Sequence, residues 1–139
     1  MEIVPYAREH LLALRVQPAQ ADAAPWITPD YAASLEGGTS WTVLANCRPV
    51  FCGGSWELWP GRALVWAILS PEAGPHMARI TRGVRRYLGL LPHRRVECYV
   101  DAGFEQGARW AAMLGFEREA TLRAFLPNGN DAHIYARVR

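Results

Sequence analysis

Lysine is absent from this 139-residue chain: all fifteen basic residues are arginine, set against thirteen carboxylates, for a net charge of +2. An all-arginine set is what a GC-rich genome produces, so overall composition points to no acidic partner. Only the crowding of Arg79, Arg82, Arg85, Arg86, Arg94 and Arg95 into one segment is a local signal. Long apolar runs are missing too. None approaches the roughly 20 residues needed to cross a bilayer. The first ten residues, MEIVPYAREH, carry charge and proline where a secretory signal needs an apolar block. A soluble, cytoplasmic protein is therefore expected. Cysteine is scarce: Cys47, Cys52 and Cys98 are odd in number and lack CxxC spacing. That argues against a disulfide framework or a zinc site and predicts core or half-buried thiols in a reducing compartment. His10, His76, His93 and His133 are scattered, and no metal site is expected. Repeats, low-complexity tracts and linkers are lacking as well, so residues 1–139 are expected to form one domain. With half of its residues hydrophobic, the chain can bury a core without staples.

The patterns that are present alternate between two periods. EIV reads as a short strand, and YAREHLLALR as a helix with Leu11, Leu12 and Val16 on one face. The stretch QPAQADAAPWITP holds three prolines and reads as a loop. Thr28, Pro29 and Asp30 then supply a cap and a first-turn proline for a short helix, PDYAASLEGG. SWTVLANC and PVFCGGSWELW read as strands joined by a turn at residues 46–48. GRALVWAIL is a third strand, apolar enough to suggest burial on both faces.

From Pro75 to Leu91 the period becomes helical. Met77, Ile80, Val84, Tyr87, Leu88 and Leu91 form one stripe, with Arg79, Arg82, Arg85 and Arg86 largely off it. RRVECYVDA is a further strand, and EQGARWAAMLG a helix closed by Gly115. FEREATLRAFL and AHIYARVR are two last strands around an Asn-Gly turn. The order β-αα-βββ-α-β-α-ββ predicts a mixed α/β sheet with helices on both faces.

That order, together with ARWAAMLGFEREATLRAF and the closing NGNDAHIYARVR, resembles the GCN5-related N-acetyltransferase superfamily. In that family a helix carries an alanine, ends in Leu-Gly-Phe and leads into a strand that opens on a charged residue. The resemblance runs from about Leu64 to Arg139 and is looser before it. It implies a central mixed sheet of the acetyltransferase type, acetyl-CoA as co-substrate, and an amine as acceptor.

The family holds acetyl-CoA at the loop after its fourth strand, where backbone N–H groups and a helix dipole favour a diphosphate. The corresponding stretch here is PEAGPHM. The resemblance assigns cofactor binding to Leu69, Gly74, His76, Met77 and Arg79, with Arg82 as a further source of charge. Pro71 stands where Arg or Gln is usual, Pro75 removes a donor, and His76 replaces a small residue, so the pyrophosphate loop is degenerate. The family's catalytic helix has Asn, Ala and Tyr positions, which here are Glu105, Ala108 and Ala111. The usual acid is thus replaced, with Tyr99 and Tyr135 as candidate substitutes.

A neutral amine nucleophile calls for a carboxylate base. Glu97, Asp101 and Glu57 are the candidates, in that order. Glu97 and Asp101 share a strand face with Tyr99 between them.

Trp41, Trp56, Trp59 and Trp66 cluster in the central strands. Most are expected in the core, with Trp56 and Trp59 the exposed ones. A second resemblance starts at CGGSWELWPG and runs through VECYVDAGFEQGARWAAMLGF to the last hairpin. It is to a divergent phage and prophage branch of the fold, similar to small internal virion proteins of short-tailed phages. That resemblance implies an alternative: a phage-encoded structural or regulatory protein without catalysis, located in the virion and meeting a phage or host protein. Six arginines within RITRGVRRYLGLLPHRR could neutralise phosphates, but the near-balanced net charge argues against a dedicated nucleic-acid binder. The acceptor, a small-molecule or peptide amine, and a homodimer are left open, and no membrane partner is expected.

Overall fold

A computed structural model describes residues 1–139, and its element order is the one the periodicities predict. Strands β1 (Glu2–Pro5), β2 (Thr39–Ala45), β3 (Arg48–Trp59), β4 (Arg62–Leu69), β5 (Arg95–Asp101), β6 (Glu117–Leu122) and β7 (Ala132–Val138) form one sheet. Their spatial order is β1-β2-β3-β4-β5-β7-β6. The sheet is mixed: β4 and β5 run parallel, registered from Arg62 opposite Arg95 to Leu64 opposite Glu97, and β5, β7 and β6 pair antiparallel. The helices are α1 (Arg8–Ala13), α2 (Pro29–Ser34), α3 (Met77–Leu90) and α4 (Glu105–Met113).

Local chemistry explains the boundaries. The Thr28 hydroxyl accepts the Tyr31 N–H at 3.2 Å and caps α2 behind Pro29. Asn46 and Cys47 both take positive φ, 51° and 62°, so the two-residue turn between β2 and β3 follows the strand twist. Gly115, at φ 93°, ends α4 in the left-handed region that favours glycine. Two expectations are corrected. The proline-rich stretch is a 3-10 helix over Pro18–Trp26 rather than a loop. The sixth strand stops at Leu122, because Ala124 turns to φ 48° and donates its N–H to Asp131 Oδ1 at 2.8 Å.

The chain divides into two compact units, Met1–Trp56 with Trp66–Arg82, and Glu57–Val65 with Gly83–Arg139. The core of the first gathers Tyr6, Leu11, Leu14, Ala32, Cys52 and Ile68, with Trp66 packed against it. There the Tyr6 hydroxyl donates to Ala32 O at 2.7 Å. The core of the second gathers Leu88, Leu91, Val96, Ala111, Leu114, Phe116 and Tyr135, with Val65, Val84 and Tyr87 against it. The stripe expected on α3 is therefore the buried one, and Arg79, Arg82, Arg85 and Arg86 are exposed.

Burial of β4 is less complete than its composition suggested: Ala63, Ile68 and Leu69 are buried and the rest half-buried. The tryptophans depart further from expectation. Trp41 is exposed along with Trp56 and Trp59, so of the four in the central strands one, Trp66, packs against a core.

Burial also separates the thiols. Desolvation pushes the Cys52 thiol up to about 11 against a lowering hydrogen bond from Thr42. Desolvation, aided by the charge of Glu97, pushes Cys98 up to about 12. Cys47 sits exposed in its turn. Since the thiolate is the reactive form, brief iodoacetamide treatment of the native protein is expected to add a single adduct, at Cys47. Peptide mass spectrometry reads this directly, and comparable labelling of Cys98 would contradict the burial described.

Candidate functional site

In the first unit, the residues expected to hold a cofactor lie on one continuous segment. After β4, Ser70 caps a 3-10 turn over Pro71–His76 that runs directly into α3. This winding engages donors that a diphosphate cradle needs free. Glu72 N–H goes to Ser70 Oγ at 3.2 Å, Ala73 N–H to Ser70 O at 3.0 Å, and Met77 N–H to Gly74 O. A 3-10 helix sends its N–H groups to carbonyls three residues back, and Pro71 and Pro75 have none to send.

The Met77 amide, expected to face a cofactor, is thus engaged within the turn. The Leu69 amide is also engaged: its N–H donates to Gln20 Oε1 at 3.0 Å and its carbonyl accepts the Gln17 N–H at 2.8 Å. What the segment does offer is room and charge. A β-carbon added at Gly74 would meet nothing within 4 Å. His76 is half-buried, and Arg79 follows it, exposed, on the first turn of α3, with Arg82 one turn on. These features fit an anionic group bound through guanidinium side chains and the N-terminal end of α3, rather than through a nest of amides.

In the second unit, Glu97, Tyr99 and Asp101 share one face of β5, as strand alternation requires, and each is engaged differently. Glu97 is completely buried, yet flanked by two guanidiniums. Arg62 donates to Oε1 through Nε at 2.9 Å and also through Nη2, and Arg95 Nε donates to Oε2 at 2.6 Å. Arg95 reaches on to Glu119 on β6 at 2.6 and 3.1 Å, and Arg62 lies over the Trp59 ring at 4.3 Å. Burial alone raises the Glu97 carboxyl; the hydrogen bonds and charges of Arg62 and Arg95 outweigh it and hold the carboxyl below its ordinary range. A fully buried carboxylate held between two guanidiniums is a poor proton acceptor. First place among the candidate bases is thus withdrawn from Glu97.

Asp101 organises the end of β5: Oδ1 accepts the Gly103 N–H at 2.8 Å and Oδ2 accepts Asn130 Nδ2 at 3.1 Å. Its side chain is half-exposed. Glu57 pairs with His93 Nε2 at 2.8 Å, while His93 Nδ1 is buried without a partner. Of the two candidate acids, Tyr135 is buried in the core beside Leu88, whereas Tyr99 is exposed and leans on Phe125 with ring centroids 5.0 Å apart. Ala111, at the family's usual tyrosine position, lies in the same core as Tyr135.

Sequence reasoning missed Gln17 and Gln20, which sat in the supposed loop, and the partners of Glu97. The only sequence signal for those partners was the surplus of arginines near β5. No group of three or more His, Cys, Asp or Glu is placed to hold a metal, and no helix is long and apolar enough to cross a membrane.

No family model matches the sequence, and no curated protein matches it. Solved structures do. An Ard1 from Thermoplasma volcanium superposes with a TM-score of 0.80 at 13% identity, over 99% of this chain and 96% of that one. A spermidine N-acetyltransferase SpeG chimera from Vibrio cholerae and hSSAT gives 0.74 at 18% identity, over 99% and 94%. An acetyltransferase of the GNAT family from Bacillus anthracis gives 0.72 at 12% identity, over 98% and 93%. The fold is that of the GCN5-related N-acetyltransferases. On this acetyltransferase fold the segment Ser70–Arg79 is the stretch after the fourth strand, and the likeness extends over the N-terminal half, where the sequence resemblance was loosest. The phage branch finds no support among these structures.

Proposed function

We propose that this chain is an acetyl-CoA-dependent N-acetyltransferase, with residues 1–139 working as one domain. The observation that carries the proposal is the fold match over nearly the whole of both chains. An amine acceptor of the small-molecule class is supported by the spermidine N-acetyltransferase among the similar structures, and a peptide amine is the second acceptor class. Arg79 and Arg82 would hold the phosphates of the co-substrate beside Gly74 and His76, which the degenerate loop makes more dependent on side-chain charge than on amides. The co-substrate supplies an activated thioester.

The amine attacks its carbonyl carbon as the neutral base, a C–N bond forms, and the C–S bond breaks. Asp101, the half-exposed carboxylate of β5, is assigned to take the amine proton, directly or through water. Tyr99, the exposed hydroxyl two residues away, is assigned to protonate the departing thiolate. Glu97 is assigned to hold Arg62 and Arg95 in place.

The test exploits the space at Gly74. A Gly74→Trp substitution builds an indole from a position where an added β-carbon meets nothing within 4 Å, and a thermal midpoint near that of the parent is expected to confirm that the variant stays folded. Calorimetric titration is expected to show acetyl-CoA binding in the micromolar range to the parent and none to the variant. Thiol release with an amine panel should follow the same pattern. No heat at millimolar acetyl-CoA would leave a borrowed scaffold without the chemistry.

A further inference from the structure

The C-terminal half of α3 carries charge that the rest of the chain leaves unanswered. Arg8, Arg15, Arg62 and Arg95 each meet a carboxylate. The side chains of Arg85 and Arg86 are exposed and form no ion pair or hydrogen bond. No acidic residue lies on α3 to offset them. Arg82 stands three and four positions before them, the spacings at which like charges on a helix repel. Nor does the end of the helix need them. Arg137 Nη2 donates to Leu88 O at 2.5 Å, and Arg139 Nη2 donates to Gly89 O at 3.2 Å.

The same face ends on an apolar group. Leu90 lies one helical turn beyond Arg86, and at 76% it is the most exposed of the large apolar side chains. Gly83 and Gly89 lie beside this row, and a β-carbon at either would meet nothing within 4 Å. Packing inside the fold therefore calls for no glycine there, although each weakens the helix relative to alanine. All five residues belong to the second unit. Together they make a low helix surface with two free guanidiniums and a bare leucine.

The leucine decides what class of anion fits. A sugar–phosphate backbone brings charge but no apolar side chain to cover Leu90, and the net charge of +2 gives it no wider positive field. A polypeptide offers carboxylates and an apolar side chain on one face. Arginine beside an apolar anchor is also the pairing that carries binding energy in protein interfaces.

We propose that this face of α3 docks an acidic segment of a partner protein. Its carboxylates pair with Arg85 and Arg86, and an apolar side chain of the same segment covers Leu90. Docking needs neither the co-substrate nor Arg79 and Arg82, so it stands apart from the acetyltransferase reading.

The test selects a yeast-displayed library of random dodecapeptides on the parent protein. Enriched peptides are then made with a fluorescent label and titrated by anisotropy. The titrations use the parent, the double variant Arg85→Gln/Arg86→Gln, and Leu90→Gln, with a labelled oligo(dT) strand alongside. All three positions are exposed, and thermal melts check that the variants are folded. The enriched peptides are expected to be rich in Asp and Glu and to carry an apolar residue. Their binding should weaken about tenfold in each variant and fall as salt is raised. No enrichment, enriched peptides without an acidic bias, or affinity unchanged in the double variant overturns the docking face. Affinity unchanged by Leu90→Gln, or tighter binding of oligo(dT) than of the peptides, overturns the polypeptide partner.

Discussion

Replacing Glu97 by Gln is expected to lower the thermal midpoint by about 10 °C while leaving acetyl transfer per folded molecule largely unchanged. Glu97 is fully buried and receives hydrogen bonds from two arginines, themselves about a quarter exposed. Glutamine keeps the shape, removes the charge and turns an NH2 group toward guanidinium donors. Breaking a buried pair costs about 3–5 kcal/mol, and partial solvation of Arg62 and Arg95 places this case near the lower end. In a chain of this size that corresponds to the stated shift in midpoint. Loss of turnover with an unchanged midpoint would restore Glu97 as the base.

The same pair gives a pH dependence with a definite sign. The carboxyl lies lower in the folded state than the unfolded value of about 4.3. Its stabilisation is therefore full above that value and is lost as pH falls through the folded one. The gap in midpoint between parent and Gln variant should be constant near neutrality and shrink on acidification below about pH 4.3. A gap that widens instead would contradict the assignment.

Gly54→Ala is expected to destabilise by about 3 kcal/mol, near the upper end for overpacking. Gly54 pairs with Ser40 across β2 and β3. A β-carbon there would lie 2.5 Å from Ser40 Cα and Cβ and still closer to Thr39 O. These are mostly backbone atoms, so relief means opening the β2–β3 pairing rather than turning a rotamer. Gly74→Ala is the control, since its added methyl group meets nothing; urea unfolding of the two variants side by side measures the difference. Equal midpoints would show that the strands approach less closely than described.

How far the residues could be read in advance follows from the range of the forces involved. The cap at Thr28, the turn at Asn46 and Cys47, the stop at Gly115 and the apolar stripe of α3 were all legible, because each depends on neighbours within a few positions. The 3-10 helix over Pro18–Trp26 was not: its hydrophobic spacing is weak, and residues at its start are held by β4. Exposure of Trp41 was equally invisible, since nothing in a strand's own alternation says which face another element covers.

The sequence by itself determined the order of strands and helices, where most of them begin and end, and which residues of α3 are apolar on one side. Backbone propensities and periodicity act locally, and they sufficed. Only the tertiary structure decided what the chemically interesting side chains do. Glu97 meets Arg62 from 35 positions away, and Gln20 meets Ala67 and Leu69 from 47 and 49. A carboxylate is a base or an ion-pair partner, and a strand edge open or closed, according to groups that only the folded chain brings within hydrogen-bonding distance.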